Sequence, residues 1–162
     1  MFKKITKNED IKLLVTLAKE IWQEHYIPVI GKEQVDYMLE LLQSESAITK
    51  QINHENYQYY FVVINDENIG YLAVVAEENR LFLSKLYIKS INRKSGVGKK
   101  SIKFIENIAK ELKFNKIALT VNKYNANSIL FYENQGFKKV SSIVFDLGNG
   151  FFMDDFQMEK DI

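Results

Sequence analysis

Residues 92–106 read NRKSGVGKKSIKFIE, a basic stretch broken by two glycines one residue apart that runs straight into an amphipathic segment. Ile102, Ile105, Ile108, Ala109 and Leu112 recur with a period of about 3.6 residues, so a helix follows the glycines. The first N–H groups of such a helix have no acceptor within it, and its dipole adds positive charge at that end. Gly96 and Gly98 allow the backbone to come close to a ligand, while Arg93, Lys94, Lys99 and Lys100 supply cations. The stretch reads as an anion site, and phosphate is its natural guest.

Outward from this point, "RLFLSKLYI" (80–88) precedes the loop as an apolar strand and "KIALTVN" (116–122) follows the helix as another, which makes a βαβ unit. Upstream, "YQYYFVVI" (57–64) and "IGYLAVVAE" (69–77) flank the turn-rich "NDEN" and read as a hairpin. Before them, a short strand "FKKIT" leads into a helix over residues 8–26, with Ile11, Leu14, Val15, Ala18, Ile21 and Trp22 on one stripe and Asn8 as its expected N-cap. A second helix covers "KEQVDYMLELLQ" (32–43). Downstream, "NSILFYENQ" (127–135) is a short helix capped by Asn125 or Asn127 and ended by Gly136. Two last strands, "KKVSSIVFDL" and "FFMDDFQMEK", flank the hairpin signal "GNG". This alternation predicts a mixed sheet covered on both faces, with the ligand crevice at strand ends near the glycine loop.

A chain of 162 residues, 46% hydrophobic and 13% aromatic, fits one domain over 1–162 and no more. Its 22 Lys+Arg against 21 Asp+Glu leave a net charge of +1, which argues against nucleic-acid binding through bulk electrostatics. The absence of cysteine excludes disulfides, thiolate zinc sites and a cysteine nucleophile. The two histidines, His25 and His54, have no metal-ligand spacing, so no metal is expected. No apolar signal core and no run of membrane-spanning length is present; a cytoplasmic protein without membrane association is expected.

Two common phosphate loops do not match. A P-loop needs Gly-Lys-Ser/Thr preceded by another glycine at fixed distance, whereas Gly98 is followed by two lysines and lacks that earlier glycine. A dinucleotide fingerprint needs a third glycine where Ser101 stands, and belongs in a first βα turn rather than after a hairpin. What remains is Arg-x-x-Gly-x-Gly at Arg93, Gly96 and Gly98, between the strand "LSKLYI" and an amphipathic helix. This motif, the order of elements and the later "NKYNANSILFYENQGF" (122–137) together resemble the GNAT superfamily of acyl-CoA-dependent N-acyltransferases over nearly the whole chain.

The resemblance implies an α/β fold with a mixed, mostly antiparallel central sheet of about seven strands flanked by helices. It implies acetyl-CoA as cosubstrate, its pyrophosphate held by backbone N–H groups of Lys94, Ser95, Gly96, Val97, Gly98 and Lys99, with charge from Arg93. Leu86 and Ile88, on a strand splayed from its neighbour, would pair with the pantetheine amides. Asn125 would cap the short helix or bond the pantetheine arm. Tyr132 would protonate the departing thiolate, since a phenol near 10 can serve a thiol near 8.5 at little cost. The transfer implied is acetyl to a primary amine by direct attack in a ternary complex. A protein or peptide acceptor, or a non-catalytic acyl-CoA-binding module, are the alternatives.

The base is open: where many relatives carry a glutamate on the strand before the loop, this chain has Phe82, Ser84 and Lys85. Water organised by Ser84, Glu24 or His25 are the candidates. The resemblance implies that the first two helices and the last hairpin form the acceptor side; there Glu24, Glu33, Asp36, Asp154 and Asp155 stand among aromatics, with Trp22, Tyr26 and Tyr37 as cation–π surface, and Glu24, Tyr26 and Asp154 are the expected substrate contacts. In a strand Asp154 and Asp155 face opposite ways, so at most one serves. The first helices loosely resemble those of polyamine acetyltransferases, which implies a small polyamine-like amine. The aromatic-rich terminal strands fit either a homodimer surface or a covered sheet edge.

Overall fold

A computed structural model describes all 162 residues. In chain order the elements are β1 (Phe2–Lys4), α1 (Asn8–Ile30), α2 (Lys32–Gln43), α3 (Glu45–His54), β2 (Tyr57–Ile64), β3 (Glu67–Ala76), β4 (Leu81–Ile88), α4 (Val97–Glu111), β5 (Lys116–Asn122), α5 (Ala126–Asn134), β6 (Lys138–Gly148) and β7 (Phe151–Asp161). They build one seven-stranded sheet, ordered β1-β2-β3-β4-β5-β7-β6. Every pairing is antiparallel except β4 with β5. No helix is long and apolar enough to cross a membrane.

Alternation along the strands feeds two cores. On one face Leu72, Leu83, Ile117, Leu119, Val121 and Met158 pack with Val97, Ile102, Ile105 and Ile108 of α4 and Ile129 of α5. On the other, Tyr59, Phe61, Tyr71 and Ala73 meet Leu14, Ala18 and Ile21 of α1 and Ile48 of α3. Beside these, Trp22, Tyr26, Val35 and Met38 form a smaller cluster of α1 and α2 that reaches Tyr87 and Met153.

The parallel contact that joins the two halves is short. It consists of Leu81 opposite Ile117 and Phe82 opposite Ala118, and the strands then part. The cause is local: the β3–β4 register shifts between Ala73 and Val74, leaving Ser84 as an extra residue. Such a bulge bends and twists its strand, here just past the last pair with β5. Residues 83–88 thus run along a gap, with alternate backbone groups facing it.

Three expectations change. Helix α3 occupies residues that carried no assignment; Ser44 caps it, its Oγ accepting from the Ala47 N–H at 3.2 Å. The N-cap of α1 is Lys7 rather than Asn8, with no side-chain cap bond. Glu9 and Asp10 in the first turn complement the dipole instead, and Asp10 also holds Lys3 of β1 at 2.9 Å. The outer edge of the sheet is not covered: Val140 and Val144 of β6 are 51% and 62% exposed.

Gly70 holds β3 against the end of β4. A β-carbon there would stand 2.3 Å from the Tyr87 carbonyl oxygen, a backbone atom that cannot swing aside. Gly70→Ala is expected to cost ~1–3 kcal/mol in urea unfolding. An unchanged midpoint would show that β4 is free to shift.

Candidate active site

The loop between β4 and α4 begins with a 3₁₀ turn, Ser90–Asn92, and is braced by its own side chains. Ser95 Oγ donates to the Asn92 carbonyl at 2.6 Å, and Arg93 Nε donates to the Ile88 carbonyl at 3.0 Å, which leaves the outer guanidinium nitrogens toward solvent. Lys94 (φ 62°) and Gly96 (φ 82°) are left-handed. The N–H groups of residues 94 to 99 have no acceptor in the protein; the next, Lys100, bonds the Gly96 carbonyl. Successive free amides bent by left-handed residues, at a helix N-terminus, make an anion-binding concavity.

The two glycines have different tasks. Gly96 caps α4 in a conformation costly for other residues. Gly98 makes room inside the protein: a β-carbon there would lie 2.9 Å from the Phe131 ring. The first turn of α4 and the aromatic part of α5 can approach only because Gly98 lacks a side chain.

Tyr132 stands next to that contact. Its ring packs between Phe131 and Phe137, with centroids at 5.2 and 5.6 Å, within the core beneath α4. Its hydroxyl has no hydrogen-bond partner in the protein and is close enough to Tyr26 that ionising either phenol would penalise the other. Tyr26 belongs to the opposite face of the sheet. Tyr132 therefore spans the gap between β4 and β5, and desolvation there raises its pKa well above the phenol range.

Tyr26 and Tyr87 share a hydrogen bond at 2.8 Å. Burial lifts Tyr26 to about 12, and it lifts Tyr87 as well, so both stay neutral. Behind them Trp22 Nε1 donates to Tyr71 Oη at 2.7 Å, and Tyr71 donates to Gln43 Oε1 at 2.8 Å. The phenol cluster rests on a satisfied network and is rigid for that reason.

Asn125 caps α5, its Oδ1 accepting from the Ser128 N–H at 3.3 Å. Its Nδ2 lies 2.9 Å from His25 Nε2, so a neutral His25 accepts there and ties α1 to α5. Desolvation, then the nearby Arg93 guanidinium, hold the His25 pKa below its ordinary 6.5, with Glu24 opposing them.

The remaining sequence candidates lie apart. Glu24 is exposed and accepts from Ser90 Oγ, tying α1 to the loop. Glu33 is exposed, Asp36 pairs with Lys32, and Tyr37 donates to the Leu147 carbonyl at 2.6 Å. Asp154 is held by Lys123 at 2.7 Å. Ser84 Oγ accepts from Lys85 Nζ at 2.9 Å, and that ammonium lies over the rings of Tyr57 and Tyr59. Lys85 is opposite Ala73, which is opposite Tyr59, so it reaches across β3, away from the gap. Burial lowers its pKa to about 8.

Of the two adjacent acids named from the sequence, the structure places Asp155, rather than the expected Asp154, beside Tyr26. Asp155 sits opposite Asn122 on β5, on the sheet face away from Phe156 and Met158, and is 4% exposed.

The family model of the acetyltransferase (GNAT) family matches residues 16–137, and the chain belongs to that family. It is an N-acetyltransferase that uses acetyl-CoA. The spermidine N(1)-acetyltransferase of Thermoplasma acidophilum is 24% identical over 134 residues, 80% of this chain and 83% of that protein. An uncharacterised N-acetyltransferase of Lactobacillus delbrueckii subsp. lactis is 23% identical over 149 residues, 87% and 86% of the two chains. The crystal structure of PaiA N-acetyltransferase from T. acidophilum in complex with coenzyme A shares the fold at TM-score 0.83 and 22% identity, over 100% of this chain and 99% of that one.

The neutral state of His25 gives a pH test. Its folded pKa is depressed, so between 6.5 and that lower value the unfolded chain binds the proton first and stability falls with falling pH. His25→Gln keeps an acceptor for Asn125 and removes the titration. Melting temperatures from pH 7.5 to pH 5 are expected to fall more for the wild type than for the variant; parallel curves would contradict the assignment.

Proposed function

We propose that the acceptor is the primary amine of a small, polyamine-like cation and that Tyr132 protonates the departing thiolate. The observation that carries this reading is the free Tyr132 hydroxyl in the gap between β4 and β5, beside two neutral phenols. Burial makes this phenol a weaker acid than a free one, but it is protonated and without an internal partner, so its O–H is available to the thiolate.

The chain's own groups divide the work. The amides of residues 94 to 99 and Arg93 hold the pyrophosphate of the cosubstrate, and the gap-facing backbone of residues 83–88, Leu86 and Ile88 included, takes the pantetheine amides. The β4 groups lack strand partners on that side, the Ile88 carbonyl alone being taken by Arg93 Nε, so a ligand that supplies amides replaces lost strand bonds. With the thioester drawn into the gap, its sulfur comes to Tyr132 and its carbonyl to the phenol cluster. Tyr26 and its neighbours then face the acceptor. The relative that acetylates spermidine and the aromatic wall of Trp22, Tyr26 and Tyr87 support a cationic amine.

Thiol release from acetyl-CoA by the purified protein, across polyamines, amino acids, aminoglycosides, aromatic amines and short peptides, tests the acceptor class. Polyamines are expected to turn over; release with peptides alone would make the acceptor a protein. Tyr132→Phe is expected to lower kcat roughly 100-fold or more with little change in acetyl-CoA affinity. Full retention of rate would remove Tyr132 from the proton transfer.

A further inference from the structure

We propose that Asp155, on β7, is the base of the reaction: its carboxylate receives the proton that the acceptor ammonium must lose before attack. This rests on the amine-acetylating function proposed above and names the group which β4 lacks.

The side chain is buried, yet Asp155 Oδ1 has no hydrogen-bond partner in the protein. The Thr120 hydroxyl serves the carboxylate from β5, but Oδ1 is left without a donor; a buried oxygen so left is costly, and one retained in a cleft has a use outside the fold's own bonding. Its direction follows from the register. Phe156 and Met158, both following it on β7, face the α4 core, so Asp155 faces α1, near enough to Tyr26 for its charge to oppose ionisation of that phenol. Four groups bear on it: Thr120 on β5 and Lys123 in the following turn favour its charged form, while Asp154 disfavours it and Tyr26 from α1 is neutral. Ile143, its β6 neighbour, is apolar. Desolvation outweighs the rest and sets the carboxyl at about 6, so it is ionised at pH 7 and still a better proton acceptor than an exposed carboxylate.

The competing bases are engaged elsewhere. Glu24 is exposed and bonded to Ser90, His25 Nε2 is taken by Asn125, and Ser84 is bonded by Lys85 on the far side of β4. Asp155 alone is acidic, buried and beside the phenols with a carboxylate oxygen left unpartnered. The ammonium docks against this carboxylate and gives it one N–H proton. The freed nitrogen pair attacks the thioester carbonyl; the C–N bond forms and the C–S bond breaks. The thiolate takes the Tyr132 proton, the surplus proton on nitrogen restores Tyr132, and Asp155 returns its own to solvent. One amide, one thiol and one proton leave.

The test is the pH dependence of kcat/KM for spermidine in wild type and Asp155→Asn. At pH 7 the variant is expected to be slower by roughly 100-fold or more. The ratio should shrink steadily toward pH 10, where the amine loses its proton unaided. Asp155→Asn should also melt higher at pH 8, because it removes an uncompensated buried charge. A ratio near one, or one constant from pH 6 to pH 10, overturns the proposal. A second readout needs neither turnover nor a folded variant: carboxyl carbon shifts of the wild type with coenzyme A bound. Spermidine is expected to lower the Asp155 midpoint from near 6, and an unmoved midpoint overturns the proposal. Absence of thiol release by the wild type with every amine would count against the amine-acetylating reading, and the carbon shifts would still decide whether an ammonium docks on Asp155.

Discussion

Two residue pairs join β4 to β5, and the site depends on the strands parting beyond them. Continued pairing would close the gap, cover the free edge of β4 and bury Tyr132 under a continuous sheet. The separation is affordable because each strand is fastened on its other side, β4 to β3 and β5 to β7, by a ladder of seven pairs. The Ser84 bulge provides the bend, and Gly70 keeps the far end of β4 against β3 while it diverges. What is lost in ladder bonds across the gap becomes binding capacity for a ligand rich in amides.

From that opening the other features take their places. The loop after β4 presents its unbonded amides at the mouth, where a phosphate can enter without displacing any internal bond. Gly98 lets Phe131 abut the first turn of α4, and this fixes where the next residue, Tyr132, crosses the sheet. On the far side the phenol pair meets the crossing tyrosine, and Asp155 lies near Tyr26. Burial acts in one sense on both kinds of group, penalising the anion: it keeps the phenols protonated and makes the carboxylate a stronger proton acceptor. Both cost stability, which accords with strain and unpaired groups gathering at working sites.

The glycine loop and the strand–helix order were legible because their signals are local, namely spacing, period and residue type. Helix α3 was not, since "ESAITKQINH" is short and polar and its case rests on a Ser44 cap and two buried side chains, Ile48 and Gln51. The two roles of the glycines were also hidden, because the space at Gly98 is filled by Phe131, far along the chain. The adjacent pair Asp154 and Asp155 shows the limit most clearly. Period two says that they face opposite ways, but only the register of β7 against β5 says which one meets α1. The lysine that neutralises Asp154 stands beyond the end of β5, and sequence gives no sign of that pairing.

The most direct measurement is the change in backbone amide shifts when coenzyme A is added to the labelled protein. The expected result is a set of large changes at residues 94 to 99 and along 83–88, with β1, β2 and α3 unaffected. Changes centred elsewhere, or none in the loop at saturating coenzyme A, would contradict a phosphate seat on those amides and a pantetheine path between the parted strands.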